Sequence, residues 1–339
     1  MKKRRFFVLA SGVAMALYAG LLLYALTGKW GYDVSEVLRK FVLDATASPE
    51  AYDVLAIGDS VVKSSFIPKD FASQTNRTAI NLAITANGPI IGYYVLKKYL
   101  DSGKKPALII ISYQQGYLFQ EAKPNVLIDN VYGFYLLNQT DFNEILQNAK
   151  KFNRCYEIAG LPCDSMFLPY VYVSHMLNLK NYMPEILKSF FIYGFWTNYK
   201  NYKKAKNTLG IEYVGGRNND KINMEAFLST RSKDDLTEFY FQSIVKLAQQ
   251  NGIKVAIYLM PMKAYSLQTL SEKNKQDFDM VIQDLKKSAP KKDDLFILND
   301  FEAMDDSYFG DEIHPNEKGA QHITQDIIRR VQKMVFDSF

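Results

Sequence analysis

Three residues in this chain have the types and settings that nucleophilic acyl chemistry needs. Ser60 ends the stretch Tyr52-Asp-Val-Leu-Ala-Ile-Gly-Asp-Ser60. Asp311 and His314 stand three residues apart in Gly310-Asp-Glu-Ile-His-Pro-Asn-Glu-Lys-Gly319. A serine hydroxyl attacks poorly until a base removes its proton, and imidazole, with an ordinary pKa near ~6.5, is suited to that task. A carboxylate on the other ring nitrogen fixes the tautomer and stabilises the imidazolium formed on attack. The same loop carries Asp305, Asp306 and Glu312, so spacing alone leaves the orienting acid open. Of the three histidines, only His314 precedes a proline in such a loop, and His175 and His322 read as structural.

The elements around these residues predict how they meet. Residues 53–58 form an apolar, partly β-branched run that reads as a strand buried on both faces. Open α/β sheets hold ligands beyond the carboxyl ends of their strands, which is where Gly58-Asp59-Ser60 falls. Further strands are expected at 79–84, 107–112, 254–260 and 295–298. Helices are expected at about 90–100 (stopped by Gly103), from Asp234 to Gln250, and from Ser271 to about Lys287. A last helix follows, with Pro315 in its first turn and its end near Met334. Strands alternating with crossover helices predict an α/β fold with a doubly wound parallel five-stranded sheet. Its carboxyl edge would bring Ser60 and His314 together although they lie far apart in the chain.

Gly58-Asp59-Ser60 after a strand, with Asp311-x-x-His314-Pro315 near the carboxyl terminus, resembles the SGNH (GDSL-type) hydrolase superfamily. The resemblance covers about 50–113 and 234–335. It implies a flavodoxin-like sheet and a triad of Ser60, His314 and Asp311. It also implies an oxyanion hole that includes the Ser60 N–H and Gly88, the glycine of the second family block. The third donor in that family is an Asn in a Gly-x-Asn-Asp block after strand three. Here that place reads Ser112-Tyr-Gln-Gln115. This departure leaves Asn87, Gln114 and Gln115 as substitutes.

Composition bounds the function further. A hydrophobic content of 48% and a charged content of 23% are those of a globular chain. The net charge of +5 is small for this length and partly sits in Lys2 to Arg5, so nucleic acid is not implied. No glycine-rich phosphate loop occurs, so no cofactor is expected, and no Cys/His cluster has metal-ligand spacing. The two cysteines, Cys155 and Cys163, leave open a disulfide or two free thiols.

Lys2-Lys-Arg-Arg5 precedes an uncharged run from Phe6 to Leu26. A helix of about 20 apolar residues crosses a bilayer core, and cations in front favour a cytoplasmic amino end. Residues 1–27 are therefore expected to be a signal anchor. The rival is a cleaved signal peptide ending near Ala16-Leu-Tyr-Ala19, but the apolar run continues past that point. Residues 28–50 read as a juxtamembrane connector with a short amphipathic helix over Ser35–Asp44. The α/β domain would fill 51–339, interrupted at about 114–232 by an aromatic-rich, mostly helical insertion. Within it, Ser189–Lys206 reads either as a segment resting on a membrane surface or a partner helix, or, the favoured reading, as a core helix followed by a solvated basic turn.

With the anchor, the chain is most similar to the extracytoplasmic acyltransferase branch of that superfamily. That branch includes the D-alanyl transfer protein of teichoic acid synthesis and the O-acetylation proteins of alginate and peptidoglycan. The implied activity is transfer of an acyl group, most simply acetyl, through Ser60 to a cell-surface glycan. The implied partner is a multi-spanning membrane O-acyltransferase, and the implied location is the outer face of a bacterial cytoplasmic membrane. The alternatives are an anchored esterase or deacetylase, and a silent scaffold for the membrane enzyme.

Overall fold

The computed structural model describes residues 34–85, 87–114, 137–155, 162–166, 194–212, 235–269 and 272–336. The expected anchor, most of the insertion with its aromatics, Gln115, His175 and the Ser271 cap lie outside these residues. Among the described residues, no helix is long and apolar enough to cross a membrane.

The first described element is helix α1 (Val34–Ala47), followed by strand β1 (Val54–Gly58), α2 (Ser60–Ser65) and α3 (Pro68–Thr75). Next come β2 (Ala79–Asn81), α4 (Pro89–Asp101) and β3 (Leu108–Ser112). Within the stretch read as an insertion, the described residues include α5 (Gln139–Lys151) and α6 (Gly194–Asn207). The chain continues with α7 (Asp235–Gln250), β4 (Lys254–Ile257), β5 (Met262–Lys263), α8 (Ala264–Thr269) and α9 (Glu272–Ser288). It closes with β6 (Leu295–Ile297), β7 (Ala303–Met304) and α10 (Glu317–Val331).

The main sheet has five strands in the order β2-β1-β3-β4-β6, and every pairing is parallel. This is the doubly wound order whose switch point lies between β1 and β3. Side chains alternate between its faces with period two. Leu55, Ile57, Ile109, Ile111, Val255 and Ile257 join a core with α1, α4, α5 and α7. Val54, Ala56, Leu108, Ile110 and Ala256 join a second core with α2, α3 and α10. The alanines on that second face let its helices approach closely.

Three boundaries differ from expectation. Strand β2 closes at Asn81, while bonds to β1 continue from Leu82 N to Ala56 O and from Ile84 N to Gly58 O, and the Asn81 side chain adds bonds of its own. Its Oδ1 accepts from Ala83 N, and its Nδ2 donates to Val62 O at 2.9 Å and Phe66 O at 3.1 Å. Strand β4 ends at Ile257, because Asn299 grips both the N–H and the carbonyl of Leu259 at 2.8 Å each. Pro315 does not occupy the first turn of the last helix. Asn316 is the N-cap, accepting from Gly319 N, and Pro315 bridges to Phe309 in the preceding loop. The two-residue strands β5 and β7 form a small separate parallel pair.

Helix α1 covers the expected amphipathic stretch and is docked rather than free. Phe41 and Val42 are buried, and the helix packs on α4 and α6. Lys104 Nζ donates to the carbonyls of Ala45, Thr46 and Ser48 at its carboxyl end, while Tyr202 hydroxyl bonds Asp44. Lysine near the last carbonyls also complements the helix dipole. In α6 the lysines 200, 203, 204 and 206 are exposed along the helix itself, not in a turn after it. Cys155 and Cys163 are joined as a disulfide.

Candidate active site

Ser60 sits at the turn from β1 into α2, and the turn is built by its neighbours. Gly58 pairs with Ser112 across the sheet, and a Cβ at Gly58 would lie 1.9 Å from Ser112 O, so only glycine lets the strands meet there. Asp59 caps α2, its Oδ1 accepting from Val61 N at 2.9 Å. Ser60 is therefore the first residue of the helix, with its N–H free of intrahelical duty.

His314 arrives from the opposite end of the chain on a loop closed by its own backbone. Gly310 N donates to His314 O at 2.9 Å and Asn316 N to Tyr308 O at 2.9 Å, while Asn316 Nδ2 donates to Ser307 O and Phe309 O. The loop is fixed to the helix of Ser60 through α10. Thr324 hydroxyl donates to Ser65 O at 2.8 Å and accepts from Ile67 N at 3.0 Å.

The result is a linear array. His314 Nε2 lies 2.8 Å from Ser60 Oγ, and His314 Nδ1 lies 2.8 Å from Asp311 Oδ2. Asp311 Oδ1 accepts from His314 N at 2.7 Å and Ile313 N at 3.0 Å. Burial pushes the Asp311 carboxyl up, but these bonds outweigh it and hold the group below the usual carboxylate range. Asp311 is thus the acid that spacing alone leaves open, while Asp305 is used elsewhere, capping a short turn through Ser307 N. His322 is exposed on α10 against the Tyr308 ring.

The three expected oxyanion positions are placed differently from one another. Gly88 is the N-cap of α4, in extended backbone with open space at its Cβ direction, so neither conformation nor crowding demands glycine there. Asn87 is buried, and its Nδ2 donates to Thr85 O at 2.7 Å, which engages its amide within its own turn. Gln114 lies just past β3, and its backbone N donates to Asp59 Oδ2 at 2.7 Å, beside Ser60. Gln114 is buried, at 7% exposure.

Two side chains to which sequence reasoning assigns no role lie near Ser60. Asp59 is fully buried, and burial pushes its carboxyl up to about 6 against the opposing bonds from Gln114 N and Val61 N. Lys63 is also fully buried, with Nζ 2.8 Å from Ala83 O. The composition around Lys63 carries no signal of this, since a single lysine in a helix normally faces water.

No family model and no curated protein matches this chain. A solved structure from Streptococcus pneumonia, bearing a provisional description as a platelet activating factor, aligns over 93% of this chain and 97% of its own, at 10% identity and a TM-score of 0.39. A likeness of that size leaves the geometry of the site to carry the functional reading.

Proposed function

We propose that this chain is a serine-dependent acyl-transfer enzyme of the SGNH kind, carrying an acyl group on Ser60. The observation that carries this reading is the unbroken hydrogen-bonded line from Ser60 Oγ through His314 to Asp311. In the first half-reaction Ser60 Oγ attacks an ester carbonyl while His314 Nε2 takes its proton. The Ser60 N–H, with Gly88 and Gln114 as further donors, holds the oxyanion. Collapse breaks the ester bond, and the leaving alkoxide takes the proton back from His314. In the second half-reaction His314 deprotonates an acceptor hydroxyl, which attacks the acyl-serine, and the proton returns to Ser60.

The acceptor distinguishes the two readings of this chemistry. In the transfer reading it is a sugar hydroxyl of an extracytoplasmic glycan, and a multi-spanning membrane acyltransferase supplies the acyl group. The charge-flanked apolar run at the amino end and the Cys155–Cys163 disulfide support such a placement, since disulfides persist in oxidising compartments. In the esterase reading the acceptor is water. The same three residues serve both readings, and access of water to the acyl-serine separates them.

The test is labelling of the purified protein with a fluorophosphonate probe, beside S60A and H314A. Labelling of the wild type that is lost in both variants is the expected result. Acetyl-ester turnover is then compared with and without a glycan acceptor, in detergent and in native membranes. An S60A variant that keeps full glycan acylation in cells would sink both readings and leave a scaffold.

A further inference from the structure

We infer that Lys63 is a positioning residue that locks the loop carrying Gly88 onto the nucleophile's helix, and that the insertion holds this lock closed through Glu212. The inference rests on the reading of Ser60 as nucleophile and adds a route from the insertion to the oxyanion loop. Lys63 follows Ser60 by three residues in α2, and its ammonium reaches across to Ala83 O at 2.8 Å. Ala83 lies in the segment from Asn81 to Gly88. The backbone of that segment is also tied to β1 by Leu82 N to Ala56 O at 2.9 Å and Ile84 N to Gly58 O at 3.0 Å. Beyond Ile84 no backbone bond to the sheet continues this tie among the described residues. On the helix side the Asn81 side chain holds the start of the segment to Val62 O and Phe66 O, and the Lys63 bridge holds it further along, at Ala83.

The insertion reaches the same place. After α6 the chain turns through two residues of positive φ, Leu209 at 52° and Gly210 at 96°. A Cβ at Gly210 would lie 2.0 Å from Asn81 O, so the close approach requires glycine. Leu209 O accepts from Asn81 N at 2.9 Å, and Glu212 N donates to Lys63 O at 3.1 Å. Ile211 is buried between Ile67 and Ala320. A single strap, Leu209–Glu212, therefore touches β2, the nucleophile's helix and α10 at once.

Glu212 also supplies the charge that Lys63 needs. Burial lowers the Lys63 ammonium to about 8, and Glu212 opposes that shift without closing a direct ion pair. Glu212 in turn is raised by burial and held down by Lys63 and by Lys204 of α6. A buried charge with one hydrogen bond is costly to leave unbalanced. Withdrawal of the strap would remove the balance and loosen the loop that Lys63 holds.

The experiment compares wild type, K63M, E212Q and the double variant by ester turnover, fluorophosphonate labelling of Ser60 and amide hydrogen exchange. K63M is expected to lower kcat by ~10-fold or more with KM changed less than ~2-fold, because the loss falls on transition-state geometry. Amides of 82–88 should exchange ~10-fold faster in K63M and also in E212Q, although Glu212 does not touch that loop. The double variant should be no worse than K63M, since both changes act through one link. If K63M does not fold, the E212Q exchange pattern decides alone. Wild-type kcat and unchanged exchange at 82–88 in the variants would overturn the inference. A wild type that neither labels nor turns over ester would defeat the reading of Ser60 instead, and the exchange comparison would still decide the coupling.

Discussion

Asp59 and Gln114 are joined by a hydrogen bond of 2.7 Å from the Gln114 backbone N–H to Asp59 Oδ2, across 55 residues of chain. The other Asp59 oxygen caps the helix of Ser60 at Val61 N. One buried carboxylate therefore sets the distance between Ser60 and the residue standing where the resembling family places an oxyanion asparagine.

This geometry predicts that the two oxygens can be separated by mutation. D59N keeps an acceptor for Val61 N, so the cap survives, but it turns an amide N–H₂ toward the Gln114 N–H. Donor then meets donor, and the Gln114 loop must move. Fluorophosphonate labelling of Ser60 should slow by ~10-fold or more, within the range expected for a displaced oxyanion donor. D59A should lose the cap as well and melt earlier, by a further ~0.5–2 kcal/mol. Equal labelling by D59N and wild type would show that Gln114 takes no part.

Asp311 makes a sharper prediction because both its oxygens are accounted for. In D311N the retained carbonyl still accepts from Ile313 N and His314 N, so the loop stays in place. The new amide N–H₂ faces His314 Nδ1 and drives the ring to the tautomer protonated at Nε2, which cannot take the Ser60 proton. Turnover should fall by about 10⁴ with little change in KM. The stability sign also follows. The folded Asp311 pKa lies below its ordinary value, so its contribution is present above that value and is lost as pH falls through the folded one. Acid melting curves should show D311N losing less than wild type over that window.

The sheet and the triad are legible in the amino-acid sequence, and for physical reasons. Strands buried on both faces leave unbroken apolar runs, and Leu108–Ser112 is the clearest of them. Catalytic residue types with few copies are easily paired, as His314 is with Ser60. What is not legible depends on long-range side-chain bonding. Asn299 ends β4 early by gripping the backbone of Leu259, 40 residues away, and Asn81 ties its segment to Val62 and Phe66, which no local pattern records. The two-residue strands β5 and β7 are too short to leave a period. Pro315 reads as a helix residue because proline is favoured in a helix's first turn, whereas the helix starts after Asn316, itself a preferred capping type. Lys63 looks like a solvated lysine because burial of its charge is decided by Ala83 and Glu212, from two distant stretches.

The disulfide gives a test of the insertion's contribution. Cys155 follows α5, and Cys163 lies 8 residues on, so the closed loop is short. Loop-closure entropy for that length amounts to about 2–3 kcal/mol. C155S/C163S, or the wild type with reductant, should melt at lower temperature by that amount, while the triad geometry and Ser60 labelling persist at permissive temperature. Labelling lost together with the disulfide would show that this part of the insertion helps to form the site itself.

Lys63 should leave its mark on the pH dependence of stability. Burial lowers its folded pKa from the ordinary 10.5 to about 8, so the charged form is disfavoured in the native state. Between those values the unfolded chain binds more protons than the folded one, and stability must rise as pH increases from about 8 toward 10.5. The full difference is about 3 kcal/mol at pH below that window. K63M removes this cost but leaves the Ala83 carbonyl without its donor, a loss of about 1–3 kcal/mol. The two terms nearly offset, so K63M should match wild type in stability near pH 7. Denaturant melts from pH 7 to 10 distinguish the curves: the wild type should gain stability across that range and K63M should stay flatter. Parallel curves would mean that Lys63 keeps an ordinary ammonium pKa in the folded protein, and the electrostatic part of its link to Glu212 would fall with it.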